Sequence, residues 1–324
     1  MAREKTESGK LAVEYIQKYG GQLSKRSVAT LLAQERPDLF KTVEAARYLI
    51  RYHAGNSGKK SRVNKEQNTF FCHHPEPQPT DYFFDLAKEN SKILLLSDIH
   101  VPFQDKAALD LAVNYGVKKG VDTVILNGDT FDHYAESSHQ KSYNKNDPEE
   151  DFEQYQDFLF ELRCAFPDAT IIFKKGNHEN RWERWFIQNG MGKLLAINQF
   201  EYSKIMNFDE YKIQLVEDYT TITVAGLNII HGHEYNGSGG VNPARWLSLR
   251  TGESTICGHF HRSSGHTERS HRGDITSYWS TGHLSIERPQ YMAYNNWNHG
   301  FAMIIKEGKF FHVKNKQIHE GMIL

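Results

Sequence analysis

The sequence predicts an α/β layered fold preceded by a small all-α module, and three observations carry that expectation. Past residue 90, short apolar runs alternate with amphipathic helical patterns, as strands do in a sheet covered on both faces. Residues 8 to 53 show three helical patterns with start and stop signals. Between the two regions the composition turns to Gly, Ser, Lys and Pro with little apolar periodicity, which reads as a linker. The expected organisation is a helical module at 1–54, a linker at 55–90 and an α/β domain at 91–324.

In the module, "GKLAVEYIQKYGG" stops at Gly20-Gly21, "SKRSVATLLAQERP" opens at Ser24 and closes at Pro37, and "TVEAARYLIRYHAG" opens at Thr42. Val28, Leu31 and Leu32 give the second helix an inner face, as do Val43, Ala46, Leu49 and Ile50 for the third. The arrangement resembles a helix-turn-helix unit. Lys25 and Arg26, with Arg47 and Arg51 one turn apart on the third helix, could meet a phosphate backbone; the alternative is a small bundle that binds protein. In the linker, Cys72-His73-His74 has no second cluster at ligand spacing and reads as surface.

The strand candidates are "KILLL" (92–96), "TVILN" (123–127), "TIIFK" (170–174), "LNIIH" (227–231) and "STIC" (254–257). Helical faces marked by Ala108, Leu111, Ala112 and Tyr115, and by Phe152, Tyr155, Leu159 and Leu162, separate the first three. The stretch 274–314 reads as strands closing a second sheet, and 264–272 as a hairpin loop with His266 and His271 at the surface.

A net charge of -1 over 324 residues conceals an asymmetry: residues 1–65 hold 14 Lys+Arg against 6 Asp+Glu, and the remainder 25 against 34. A basic amino-terminal segment on an acidic body suggests different partners for the two, nucleic acid for the basic one. Three cysteines without framework spacing suggest free thiols in a reducing compartment. No apolar run at the start is long enough for a signal peptide or membrane span, so a soluble cytoplasmic protein is expected.

Each strand candidate is followed at once by residues that bind metal or transfer protons: Asp98 and His100, Asp129 and Asp132, Asn177 and His178, His231 and His233, His259 and His261. Loops beyond the carboxyl ends of strands in α/β sheets converge on one crevice, so these ten residues are expected to form one site. Oxygen and imidazole donors without thiolate suit Mn, Fe, Zn or Co better than Mg or Ca. They exceed the needs of one ion. Two divalent ions about 3.5–4 Å apart, bridged by a carboxylate, would clamp a phosphate and generate a bridging hydroxide for in-line attack. The expected reaction is phosphoester hydrolysis.

In this order, D-x-H, G-D-x-x-D, G-N-H-E, H and G-H-x-H resemble the calcineurin-like metallophosphoesterase superfamily over roughly residues 92–262. The resemblance implies a four-layer α/β/β/α sandwich. It implies that Asp98, His100, Asp129 and His261 hold one metal, with Mn the first candidate. Asp129 bridges to a second, held by Asn177, His231 and His259. His178 is then the general acid and Asp132 the carboxylate that orients it. His233 is an alternative to His231, and Arg181 either contacts substrate phosphate or is an ordinary helix-surface arginine. His133 stands where the Ser/Thr protein phosphatases of this superfamily carry a phosphate-binding Arg, which argues against that branch.

Trp182, Trp185 and Phe186 fall together on a helix, as a lid, a stacking surface or core. "NGSGGVNPAR" (236–245) is either an anion-binding or a flexible loop. A helix-turn-helix joined to such a domain resembles proteins of phages and their bacterial hosts, and the superfamily includes a double-strand-break-repair nuclease. The first expectation is therefore a phosphodiesterase or nuclease directed to DNA. The alternatives are a phosphomonoesterase on a small molecule or protein, and a DNA-binding regulator with a non-catalytic metal site.

Overall fold

A computed structural model of the chain describes residues 6–55, 57, 82–137, 148–289 and 292–324. The expected linker falls largely outside these residues, as do Cys72, His73 and His74. Two compact units are found, Met1–Thr80 and Asp81–Leu324.

In the first unit, α1 (Glu7–Tyr19), α2 (Lys25–Glu35) and α3 (Val43–His53) each begin behind a hydroxyl N-cap. Thr6, Ser24 and Thr42 accept from the backbone N–H groups of Gly9, Ser27 and Ala45, three residues on. Each such cap contributes about 1 kcal/mol. The helices share a core of Ala12, Val28, Ala29, Leu32, Phe40, Ala46 and Ile50. Lys25, Arg26 and Arg51 are exposed, whereas Arg47 is paired with Glu44 at 3.1 Å.

The second unit contains two sheets. The larger runs β13-β12-β11-β2-β3-β4-β5 and the smaller β1-β6-β7-β8-β10-β9. The strands of the larger sheet are β2 (Asn90–Leu96), β3 (Thr123–Asn127), β4 (Thr170–Lys174), β5 (Ile213–Val216), β11 (His299–Glu307), β12 (Phe310–His319) and β13 (Met322–Ile323). Those of the smaller are β1 (Phe83–Asp85), β6 (Thr221–Val224), β7 (Leu227–Ile229), β8 (Thr255–Cys257), β9 (Ser264–Arg269) and β10 (Ile275–Ser280).

Alternation along β2 explains the layering. Leu94 and Leu96 face a core shared with the helices Lys106–Lys119 and Pro148–Ala165. Ile93 and Leu95 face the opposite core, where Ile125 and Ile172 of the same sheet meet Ile222, Val224, Leu227, Ile229 and Ile256 of the other. With both faces buried, the run is apolar throughout rather than alternating. The outer face of the smaller sheet packs on the helix Pro243–Thr251 through Ala244, Leu247, Cys257 and Tyr278. These layers are the expected α/β/β/α sandwich.

Four details differ from the sequence reading. The five apolar runs do not share one sheet: the first three lie in the larger and the last two in the smaller. Only β9 and β10 of the carboxyl-terminal strands join the second sheet; β11 pairs antiparallel with β2 and extends the first, Ile304 opposite Ile93. The 236–245 stretch is a loop only to residue 241, since Asn242 caps a helix with Pro243 in its first turn, accepting from Arg245 N–H at 3.0 Å. His266 lies in β9 rather than in a loop, 2.8 Å from Glu268.

Candidate metal centre

The larger sheet supplies its donors from the carboxyl ends of three adjacent parallel strands. Asp98 and His100 follow β2, Asp129 and Asp132 follow β3, and Asn177 and His178 follow β4. His231, His259 and His261 follow β7 and β8 of the smaller sheet, which are also parallel. Asn127, last in β3, ties the sheets together: its side chain donates to the Ile230 carbonyl at 2.8 Å, and its own carbonyl accepts from Ser97 Oγ and His231 Nδ1 at 3.0 and 2.7 Å.

Two groups of donors that share no residue result, Asp98, His100 and His261, and Asp129, His231 and His259, with the ligand atoms of each within 4.8 Å of one another. His261 Nε2 lies 3.2 Å from Asp98 Oδ1 and 3.3 Å from His100 Nε2. Asp129 stands between the groups. Its Oδ2 has His231 Nε2 at 3.2 Å, His178 Nε2 at 3.8 Å and His100 Nε2 at 4.0 Å, while its Oδ1 accepts the backbone N–H of His178 at 2.9 Å.

Side-chain chemistry fits these residues to divalent cations. His231 donates from Nδ1 to the Asn127 carbonyl, which turns its Nε2 toward Asp129. Burial disfavours a charged His231 ring, but Asp129 outweighs it and raises the pKa to about 10, so a cation bound at Nε2 would take the place of a proton. That Nε2 and Asn177 Oδ1 are buried without a hydrogen-bond partner among the described residues. Two imidazole nitrogens 3.3 Å apart, on His100 and His261, need a shared proton or cation between them. Burial, with His178 nearby, lowers the His100 pKa to about 3, and burial beside His231 lowers that of His259 to about 4. Both rings are neutral, as metal ligands must be. Burial opposes ionisation of Asp98, yet His261 outweighs it and holds the carboxyl well below the usual range.

His233 turns elsewhere: its Nε2 lies 2.8 Å from Asp218 Oδ1, so His231 and not His233 faces Asp129. Arg181 is no free surface residue. It donates to the Asp132 carbonyl and Oδ1 at 2.8 and 3.1 Å, and its guanidinium lies 3.0 Å from His178 Nε2. His178 Nδ1 in turn meets Asp132 O and Oδ1 at 3.0 and 3.1 Å. Trp182 and Phe186 are core, their rings 4.8 Å apart, with Trp182 also against Phe152. His133 is buried against the Tyr202 hydroxyl at 2.8 Å.

The backbone around the donors is under tension. Asp98, His100, Asp129, His133, His259 and His261 all adopt left-handed φ between 50° and 65°, a region costly for residues with a Cβ. Gly258 permits the closest approach: a Cβ there would lie 1.9 Å from Ser97 Oγ and 2.5 Å from Asp98 Oδ2. Gly258→Ala is expected to destabilise the chain by about 1–3 kcal/mol and to weaken cation binding, read by thermal unfolding with and without added Mn²⁺.

Sequence reasoning gave Glu179 no role, yet it is buried and accepts four backbone N–H bonds. Its Oε2 takes Gly176 and Asp129 at 2.7 and 3.0 Å, and its Oε1 takes Thr130 and Phe131 at 2.8 and 3.1 Å. It clamps the turn after β4 to the turn after β3, and thus Asn177 to Asp129. The signal was its place beside His178 at the end of an apolar run. Glu234 acts similarly on the other sheet, accepting from His231 and Gly232 N–H with Lys174 Nζ at 3.0 Å.

The family model for calcineurin-like phosphoesterases matches residues 91–283. The chain belongs to that family. The donors carry the motifs of a metallophosphoesterase, and family membership implies hydrolase chemistry. This phosphoesterase is similar to the Gene 54 protein of Mycobacterium phage L5, 27% identical over 243 residues that cover 69% of this chain and 92% of the relative. The Gene 54 protein of Mycobacterium phage D29 is 26% identical with the same coverage. Among solved structures, wild-type Vps29 complexed with Zn²⁺ from Entamoeba histolytica matches 72% of this chain and 96% of its own, at 12% identity and a TM-score of 0.39. The phosphoesterase Yfce from E. coli matches 66% and 90%, at 12% identity and a TM-score of 0.34. Among the described residues no helix of the phosphoesterase is long and apolar enough to cross a membrane.

Proposed function

We propose that the chain is a two-metal phosphodiesterase acting on nucleic acid. The observation that supports this most is the position of Asp129 Oδ2, within 4.0 Å of three imidazole nitrogens drawn from three different loops. Asp98, His100, Asp129 and His261 would hold one cation, and Asp129, Asn177, His231 and His259 the other. Manganese is the first candidate, with iron, zinc and cobalt as alternatives. Such a pair neutralises phosphate charge and acidifies a water for in-line attack.

The remaining steps belong to the protein. His178 is braced at Nδ1 by Asp132, so its Nε2 is directed toward Asp129 and the phosphate position. Burial and the Arg181 charge disfavour its charged form, and Asp132, which lies outside the proposed metal donors, works with Asp129 to raise its pKa. The imidazolium then donates its Nε2 proton to the leaving oxygen. Arg181, held by Asp132 beside His178 Nε2, would turn its N–H from a protonated Nε2 to a phosphate oxygen once the substrate arrives. Asn177 supplies a neutral carbonyl oxygen, so the second cation gains a ligand without added negative charge beside the phosphate.

Assays of Mn²⁺-loaded protein with bis-p-nitrophenyl phosphate, p-nitrophenyl phosphate and single- or double-stranded DNA test the reading. Hydrolysis of the diester and of DNA is expected. Turnover of the monoester alone would replace the reading with a phosphomonoesterase, and no turnover despite bound metal would favour a non-catalytic regulator.

The helical module is proposed to guide the enzyme to DNA through Lys25, Arg26, Arg47 and Arg51. Deleting residues 1–65 is expected to weaken DNA binding and to flatten its dependence on log[salt] by roughly 3, about 0.7–0.9 per lost phosphate contact. Unaltered binding in filter or anisotropy titrations would refute that role.

A further inference from the structure

Beside His261 the chain makes an excursion whose two ends are fastened to the metal centre. At its start, Leu284 N–H donates to the Asp98 carbonyl at 3.0 Å and Ile286 N–H to that of Phe103 at 2.9 Å. At its end, Asn298 N–H donates to the His261 carbonyl at 3.0 Å, and the Trp297 ring stands 4.2 Å from the His261 ring in an edge-on arrangement. Asn295 braces the interior, donating to the Glu287 and Met292 carbonyls at 2.7 and 2.8 Å and accepting Trp297 N–H at 3.0 Å.

This fastened rim carries side chains that the protein does not use for itself. Tyr294 is 98% exposed and Met292 45%. Arg288 is exposed and has no ion pair among the described residues. Arg288, Tyr294, Asn295 and Asn296 line an open cavity of about 530 Å³, a volume suited to a small organic group. A lone exposed tyrosine is ordinary. A tyrosine, an arginine and an asparagine on a braced segment adjoining a phosphoesterase centre combine a π face, a cation and an amide, the groups that bind a base and its neighbouring phosphate.

We infer that residues 286–289 and 292–297 form a nucleoside subsite, seating the nucleoside esterified to the scissile phosphate, with Tyr294 stacked on the base and Arg288 on the adjoining phosphate. The inference rests on the phosphodiesterase reading and names its substrate class. It assigns specificity to a segment that holds none of the metal donors.

The test compares two diesters with the same leaving group, thymidine 5′-(p-nitrophenyl phosphate) and methyl p-nitrophenyl phosphate. Tyr294→Ala is expected to lower kcat/KM for the nucleoside ester about tenfold, chiefly through KM, and to leave the methyl ester unchanged. Tyr294→Phe keeps the π face and should restore the difference. An equal effect on both esters, or none on either, overturns the inference. If the wild type hydrolyses only p-nitrophenyl phosphate, the diesterase reading itself fails. The subsite is then judged by calorimetric titration of thymidine 5′-monophosphate into metal-free protein: about tenfold weaker binding by Tyr294→Ala sustains it, and equal affinity removes it.

Discussion

His178→Ala is expected to keep its metal content and to lose about 10²–10⁴-fold in the hydrolysis of a dinucleotide, the range attributed to a positioned general acid. The ring reaches Asp129 only at 3.8 Å and is braced by Asp132 and Arg181, so its removal leaves both donor groups intact but strips the proton source from the leaving oxygen. The loss should shrink for p-nitrophenyl esters, whose leaving group departs without protonation. An equal loss on both substrates, or retained turnover of the dinucleotide, would remove His178 from that role. The pH profile gives a second reading. Because the protonated ring is the active form, the rate should fall as pH rises through the His178 pKa, which Asp132, a carboxylate outside the proposed metal donors, helps to raise. Asp132→Asn weakens the brace, lowers the pKa and moves the alkaline fall to lower pH.

Glu179→Ala is expected to be the most damaging single substitution outside the metal donors. It would leave the N–H groups of Gly176, Asp129, Thr130 and Phe131 without their acceptor in a buried turn. At about 1–3 kcal/mol for each unsatisfied group, even the low end gives roughly 4 kcal/mol in sum, which corresponds to about 8–16 °C in Tm for a domain of this size. Calorimetry reads the loss directly. Glu179→Gln keeps one acceptor oxygen and introduces an N–H₂ group facing donors, so an intermediate drop is expected. A Tm within a degree or two of wild type would show that the clamp is dispensable.

The contrast between His178 and Glu179 shows what the sequence exposes. A histidine behind a strand end announces its chemistry because imidazole has few other reasons to recur there, and the recurrence at successive strand ends pointed to the residues that cluster, Asp98, His100 and His261 and Asp129, His231 and His259. Glu179 sits in the same motif, but three of its four partners are main-chain groups 48 to 50 positions away, which local pattern does not reveal. The three amino-terminal helices were readable from Ser24, Thr42 and their apolar faces, since capping and periodicity act within one turn. The division of the five apolar runs between two sheets was not readable locally. Ile125 and Ile256 look alike as sequence, and only long-range pairing places them on opposite walls of one core. Lys174, which closes the run "TIIFK", is likewise buried beside Glu234, a partner 60 positions away. The helix at Pro243–Thr251 does carry a local start signal, Asn242-Pro243, but it stands directly behind a glycine-rich loop whose composition masks it.

The left-handed conformations gathered at the centre limit how this protein can be improved. Each costs of order 1 kcal/mol or more, and six of them together approach the whole net stability of an ordinary domain. Replacing any of them with glycine would relax the chain while deleting a functional side chain, except at His133, which lies away from the donors against Tyr202. Selection for heat resistance would therefore draw its gains from the helices and sheet edges and leave the catalytic loops untouched. Variants that do gain robustness at those loops should be the ones that have given up turnover.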